Sequence, residues 1–288
     1  MRLRGVAKVT FQSTSAPCLI SSIVVLKPMV KETDNSGEMI NLSFLQKVMA
    51  RLCSPLSSIP ECRHMTSFLE NAKYGYNALA CRPVAEALVV GVQYVVCAAV
   101  PGDIAEFGCH TGRTAKVLSA AMKLMRAKKS LHLFDSFEGL PTSVHEVDRE
   151  NVHVKTGVWG AGAYRGLNPE QLRHACQKYL RPDAVNIHAG WFSITLPKLE
   201  PGTKLAMLHI DCDLYLSTLD VLDFVFKTGT LSEGALVLFD DWNCCRASNH
   251  FGERKAWAEA CDRYKVVAED GGGYGWAGHK FIVQSYSR

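Results

Sequence analysis

The chain has 288 residues, 48% of them apolar and 21% charged, with 32 basic against 28 acidic side chains and a mean hydropathy of +0.01. A chain of this length can bury a core without disulfide or metal staples, and the composition excludes disordered, collagen-like and acidic-tail proteins. The net charge of +4 comes from scattered basic residues and leaves no striped footprint for nucleic acid, so no nucleic-acid partner is expected.

Residues 1–31 contain five basic residues and no acid. Residues 1–40 are expected to form a flexible extension, with an organellar presequence as the alternative reading. From 41 to 100 the pattern is helical. Leu42, Leu45, Val48 and Met49 recur at helical spacing, and residues 84–100 are apolar on nearly every side. These helices are expected to cap a substrate site or an oligomer contact; the second reads as a buried core helix or as an interface. Residues 87–100, the longest apolar stretch, are interrupted by Gln93 and fall short of the roughly 20 residues a spanning helix needs, so no membrane partner is expected.

After Pro101-Gly102 the rhythm changes to short apolar strands at 104–107, 131–135, 185–188, 205–211, 235–240, 264–268 and 280–284. Helical segments lie between them, such as 115–125, where Ala115, Leu118, Met122 and Met125 form a stripe on one face. Alternating βα units with near-continuously apolar strands predict an α/β fold over 101–288. Its core is a doubly wound, mostly parallel, seven-stranded, Rossmann-like sheet. Ligands of such folds gather at the carboxyl ends of the strands. Eleven cysteines, an odd number without a C-x-x-C pair, place the chain in a reducing cytoplasm. Several, Cys97 among them, sit in apolar runs and are expected to behave as small hydrophobes.

The first strand ends in Glu106-Phe-Gly108-Cys-His-Thr-Gly112, an E-x-G-x-x-x-G turn entering a helix. Its glycines allow close backbone approach, and the helix start offers unpaired N–H groups. The spacing differs from the G-x-G-x-x-G of dinucleotide enzymes. The second strand ends in Asp135, where a doubly wound fold grips ribose hydroxyls, or where an acid caps the next turn. The fourth and fifth strands end in Asp211-Cys-Asp213 and Asp240-Asp241. Carboxylates gathered at one sheet edge raise one another's pKa unless a cation neutralises them, and an all-oxygen set suits Mg²⁺ first. His209 reads as a satisfied core residue, while His250 and His279 lie in predicted loops within reach of the site. No zinc spacing, G-x-S-x-G elbow or Walker loop occurs.

Several longer motifs stand out: MTS at 65–67, PGDIAEFGCHTG at 101–112, LFDSFEGLP at 133–141, GWFSITLP at 190–197, HIDCDLYLST at 209–218 and LFDDW at 238–242. Together they resemble the macrocin O-methyltransferase family, whose members methylate sugar hydroxyls of antibiotics. The resemblance implies a class I methyltransferase fold, S-adenosylmethionine and Mg²⁺ (or Mn²⁺) as cofactors, and a homo-oligomer. It implies cofactor contacts from Thr66, Glu106, Gly108, His110, Gly112, Asp135, Ser136, Gly190 and Trp191. Of these, Glu106, Gly108 and Gly112 would line the methionine end, Asp135 the ribose, and the Gly190-Trp191 turn the adenine. Asp211, Asp240 and Asp241 would bind the metal, leaving Asp213 as general base. Residues 142–168, with four glycines, fall where the family has a mobile lid.

There are departures from the family pattern. Cys212 and Arg113 stand where it has glycine, His110-Thr111 replaces a Trp-Arg pair, and the tail after Trp242, including 271–279, matches poorly. The expected acceptor is a hydroxyl of a small molecule, most simply a deoxysugar of a secondary metabolite. A catechol-like phenol is the nearest alternative. A metal-dependent glycosyltransferase would use Asp211 and Asp213 but leave the glycine turn idle; a nicotinamide oxidoreductase would use Asp135 but not the acidic cluster. The intact aspartates argue against a non-catalytic relative.

Overall fold

The computed structural model describes residues 76–288; the extension at 1–40, the helical pattern at 41–75 and Thr66 lie outside the described residues. Seven strands form one sheet: β1 Asp103–Phe107, β2 Leu131–Asp135, β3 Val185–Ala189, β4 Leu205–Ile210, β5 Leu231–Phe239, β6 Val267–Tyr274 and β7 Gly278–Ser285. Their order is β3-β2-β1-β4-β5-β7-β6. The first five are parallel, and β7 runs antiparallel to both β5 and β6. The helices are α1 Tyr76–Cys97, α2 Arg113–Leu124, α3 Glu146–Glu150, α4 Val152–Lys155, α5 Pro169–Gln177, α6 Phe192–Thr195, α7 Tyr215–Lys227 and α8 Gly252–Tyr264.

The apolar strands are explained by burial on both faces. Along β5, Ala235, Val237 and Phe239 enter the core under α7 and α8, while Leu236 and Leu238 enter the core under α1, α2 and α5. Helix α1 packs on α2, β4 and β5 within a compact unit spanning Tyr74–Arg288. One face is buried through Leu88, Gly91, Val92 and Val95, and among the described residues Val90 on the opposite side is 57% exposed. Cys97 corrects an expectation. It is exposed in the last turn of α1, whereas Cys109, Cys176 and Cys212 are the buried thiols among the described residues. Among the described residues no helix is long and apolar enough to cross a membrane.

The strand expected at 264–268 is displaced. Tyr264 closes α8, Lys265 takes a left-handed cap (φ 50°), and β6 runs on through Glu269-Asp270-Gly-Gly-Gly to Tyr274. An edge strand exposed along most of its length carries no apolar alternation to read. Strand β5 likewise starts earlier than expected, at Leu231, and α1 starts at Tyr76 with Pro83 inside it.

At the opposite edge a polar chain crosses three strands. His132 Nε2 lies 3.3 Å from Asp103 Oδ2, His132 Nδ1 lies 3.0 Å from His188 Nε2, and the His188 ring stacks on Phe134 at 4.2 Å. Burial, with His132 alongside, lowers the His188 pKa from 6.5 to about 4. Its neutral form is therefore favoured by folding, and the unfolded chain binds the extra proton. The contribution of His188 to stability is complete above pH 6.5 and is lost as pH falls toward about 4. His188→Gln is expected to flatten the fall in melting temperature over that window. Parallel thermal melts of the two proteins check this, and identical slopes would contradict it.

Candidate active site

The strand order sets β1, β2 and β3 side by side, so their carboxyl ends form one continuous rim. Gly108 follows β1 at φ 89°, and its N–H donates to the Phe134 carbonyl at 2.9 Å. A methyl group there would fall inside the carbonyl oxygen of Asp211, so glycine is the residue that lets the ends of β1 and β4 meet. Asp135 ties this rim together. Its Oδ2 accepts the N–H groups of Cys109 (2.7 Å) and His110 (3.1 Å), and its Oδ1 accepts that of Phe137 (2.7 Å). The carboxylate thus closes its own turn and also fixes the glycine turn; Oδ2 is filled by its two donors, and Oδ1 keeps a lone pair for a further donor. Ser136 is engaged locally, donating to the Gly139 carbonyl at 2.8 Å. Gly190 donates its N–H to the Asp135 carbonyl at 2.9 Å, and Trp191 beside it is 38% exposed. Gly112 starts α2 in a left-handed conformation, φ 66°.

On the other side of β1, the ends of β4 and β5 are joined by the Asp240 N–H, which donates to the Ile210 carbonyl at 3.0 Å. Asp211, Asp213, Asp240 and Asp241 converge there. Burial raises the Asp211 carboxyl well above its ordinary range, and Asp240 and Asp241 push it further. Asp213 is raised for the same reasons, with Asp241 and Asp211 as its nearest charges. Asp241 is pushed up to about 6 by burial and by Asp240. Asp213 also holds a left-handed backbone (φ 61°), a conformation costing a non-glycine residue about 1–2 kcal/mol. Strain and crowded like charge at one place are the marks of a functional site.

Beneath the carboxylates lies a fully buried pair. His209 Nδ1 is 3.1 Å from Glu106 Oε1, and its Nε2 is 3.9 Å from Asp240 Oδ1. Burial alone would lower the His209 pKa, but the carboxylates of Asp240 and Glu106 outweigh it and raise the imidazole to about 10. His209 is thus a core residue, as its position in an apolar strand predicts, but a cationic one set under an acidic cluster. Glu106 meets it through Oε1 at the buried end of the rim. Among the described residues, Glu106 Oε2, His209 Nε2, Asp240 Oδ1 and Glu253 Oε1 are buried without a hydrogen-bond partner.

Asp211, Asp240 and Asp241 supply only oxygen, the donor set of a hard divalent ion. Mutual repulsion and an orphaned Asp240 oxygen fit such an ion. No group of three His, Cys, Asp or Glu among the described residues stands as a ready-made cage. Closing on an ion would require the Asp side chains to turn toward it. One competitor is already present: the Cys244 thiol donates to Asp241 Oδ1 at 2.9 Å.

A cavity of about 210 Å³ opens beside the carboxylates, lined by Val84 of α1, Arg113 of α2 and the tip of the β6–β7 hairpin at Trp276. The hairpin is held by Tyr274, whose hydroxyl donates to the Phe239 carbonyl at 2.8 Å, and by the Asn243 N–H, which donates to Ala277 at 2.9 Å. Tyr274, Trp276 and Ala277 of this wall lie in the tail that matches the family pattern poorly. His250 and His279 do not line the cavity; His279 stacks on Trp242 and pairs with Asp270 instead.

Residues 142–168 are anchored at several points. Asp148, 1% exposed, accepts the N–H groups of Tyr215 (2.8 Å) and Leu216 (3.1 Å) and so caps α7 from a distant part of the chain. Asn151 donates to Cys245 Sγ at 3.0 Å, and His153 Nε2 lies 2.9 Å from the Cys244 carbonyl. Further on, Leu167 donates its N–H to the His110 carbonyl at 2.8 Å, and Tyr164 meets the His110 ring edge to face at 5.7 Å.

A Rossmann-like sheet with antiparallel β7 inserted beside β5, and a ligand rim along β1 to β5, defines the fold of class I methyltransferases. Two solved structures share it. The O-methyltransferase NovP superposes with a TM-score of 0.59 at 24% identity, covering 70% of this chain and 80% of that one. The calicheamicin methyltransferase CalS11 gives 0.55 at 20% identity, covering 85% and 94%. Residues 77–263 match the macrocin-O-methyltransferase (TylF) family, and the chain belongs to it. Curated relatives agree. The 8-demethyl-8-(2,3-dimethoxy-alpha-L-rhamnosyl)-tetracenomycin-C 4'-O-methyltransferase of Streptomyces olivaceus is 34% identical over 167 residues, 55% of this chain and 60% of its own length. The demethyldecarbamoylnovobiocin O-methyltransferase of Streptomyces niveus is 29% identical over 175 residues, 60% of this chain and 65% of its own. The chain thus spans less than two thirds of each of these relatives.

The Asp148 cap provides a direct check on how the 142–168 segment is held. Asp148→Ala leaves two buried helix-start donors without an acceptor and is expected to lower unfolding stability by about 1–2 kcal/mol. Urea unfolding measures this, and an unchanged midpoint would show that the cap contributes nothing.

Proposed function

We propose that the protein transfers a methyl group from S-adenosylmethionine to a sugar hydroxyl of a small secondary metabolite. In this reading Asp211, Asp240 and Asp241 hold Mg²⁺ or Mn²⁺, and Asp213 is the general base. The observation that carries it is the gathering of four carboxylates at the ends of β4 and β5, one strand away from the glycine turn that Asp135 fixes. The printed names of the relatives, which include a rhamnosyl 4'-O-methyltransferase, support a sugar acceptor.

When bound, S-adenosylmethionine supplies an electrophilic methyl group and the ion supplies Lewis acidity toward oxygen. The chain supplies alignment, a dry site and a proton acceptor. Gly108, His110 and Gly112 let backbone approach the methionine end, where the first N–H groups of α2 face the ligand. Asp135 keeps one free lone pair, on Oδ1, for a ribose hydroxyl, and the exposed Trp191 offers an apolar face for adenine. Asp213, the carboxylate of the cluster left over by the ion, is the group that would take the proton of the acceptor hydroxyl. The anchored segment at 142–168, with Tyr164 against His110, excludes water from this edge.

Two outcomes follow. Radiolabelled methyl transfer is expected to deoxysugar glycosides with vicinal hydroxyls, to stop with chelator and to resume on adding Mg²⁺. Transfer that ignores the chelator would remove the ion from the reading, and turnover of simple catechols alone would replace the sugar acceptor. Asp213→Asn is expected to lower kcat by about 10²–10⁴-fold with little change in S-adenosylmethionine affinity measured by calorimetry. Full turnover in that variant would exclude Asp213 as base.

A further inference from the structure

Helix α8 opens on Gly252-Glu253-Arg254, at the end of the loop that follows β5. Glu253 is 1% exposed; its Oε2 accepts the Asp241 N–H at 2.9 Å, while its Oε1 is among the buried oxygens without a partner. The next residue holds the next stretch of loop. Arg254 Nε donates to the Trp242 carbonyl at 2.9 Å, its terminal nitrogen donates to Asn243 Oδ1 at 2.8 Å, and the guanidinium lies 4.8 Å over the Trp242 ring. One helical turn therefore grips residues 241, 242 and 243 in succession.

This grip acts on the corner that presents Asp240 and Asp241. On its strand side the corner is fixed by the Asp240 N–H on the Ile210 carbonyl, and on its far side by the Asn243 N–H on Ala277. Between them, the Asp241 N–H is held by a side chain rather than by backbone. Burying a carboxyl group with an unused oxygen is costly, and a single backbone N–H can be satisfied by a neutral group at less expense. A carboxyl kept at that point has a use in placing the residues around it. Side chains behind metal ligands commonly have that use, and their loss costs about 10–100-fold in metal affinity.

We propose that Glu253 is a positioning residue for the divalent ion: by holding the Asp241 N–H it fixes the corner so that the Asp240 and Asp241 carboxylates reach one ion together. The inference rests on the metal-assisted reading above. It concerns a hydrogen bond, so Glu253→Gln, which keeps an acceptor oxygen, should preserve it and Glu253→Ala should not.

The test is Mn²⁺ binding to the full chain with S-adenosylhomocysteine present, followed by the paramagnetic resonance signal of free Mn²⁺. Glu253→Ala is expected to weaken Mn²⁺ binding about 10–100-fold while affinity for S-adenosylhomocysteine stays near that of the wild type. Glu253→Gln should bind Mn²⁺ close to wild type. Wild-type Mn²⁺ affinity in Glu253→Ala would overturn the proposal, as would a Gln variant as weak as the Ala variant. If Glu253→Ala does not fold, Arg254→Met loosens the same corner with Glu253 in place; weaker Mn²⁺ binding supports the proposal and unchanged binding overturns it. A wild-type protein that binds S-adenosylhomocysteine but no Mn²⁺ would instead sink the metal reading itself, and this inference with it.

Discussion

Everything at this sheet edge depends on one electrostatic constraint: four acidic side chains, each half-buried, are held together where β4 and β5 end. The sheet order makes β4 and β5 neighbours and brings β1 alongside, so Asp211, Asp213, Asp240 and Asp241 cannot disperse. Repulsion appears as carboxyl pKa values raised by burial and by each other. The fold answers with a buried imidazolium, His209, between Glu106 and Asp240, which offsets part of the charge from below. A divalent ion would offset the rest from above. Without a cation, protonation is the remaining route to relief, and protonated carboxyl groups make poor bases and poor ligands.

The β1–β3 side of the rim solves a different problem, that of holding backbone still. Asp135 accepts three N–H groups from two turns, and Gly108 lets the β1 end touch the Asp211 carbonyl. Movement of the glycine turn would therefore be felt at Asp211, a member of the acidic cluster. The same economy appears in the 142–168 segment. Asp148 caps α7, whose first turn follows Asp213, so this segment and the strained Asp213 backbone share an anchor. In the proposed reading, donor, acceptor and ion would be positioned by few, mutually dependent contacts, and alignment is what an in-line transfer requires.

Much of this was legible in the sequence because it is local. Apolar runs alternating with helical stripes gave five parallel strands, and their last residues, Asp135, Asp211 and Asp240, gave the rim. What was not legible depends on contacts distant in sequence. Strand β6 is an edge strand whose Glu-Asp-Gly-Gly-Gly run looks like a loop, yet its hairpin tip brings Trp276 to the cavity. Asp148 sits in a run of charges, EVDRE, that reads as a solvated helix face, and only the fold shows it buried on the start of α7. Glu253 opens a helix, where an acid ordinarily complements the helix dipole; its burial against Asp241 leaves no local signal. Cys97, by contrast, sits in a run apolar enough to predict burial but lies on the outer side of α1.

The central claim is that Asp211, Asp240 and Asp241 form a single divalent-ion site beside the cofactor rim. Anomalous scattering from a crystal grown with Mn²⁺ and S-adenosylhomocysteine tests it most directly. The account predicts one strong Mn²⁺ peak bounded by those three carboxylates, with the cofactor product lying along the ends of β1 to β3. A crystal with S-adenosylhomocysteine in place and no Mn²⁺ at the three aspartates, or with the ion elsewhere, would contradict it.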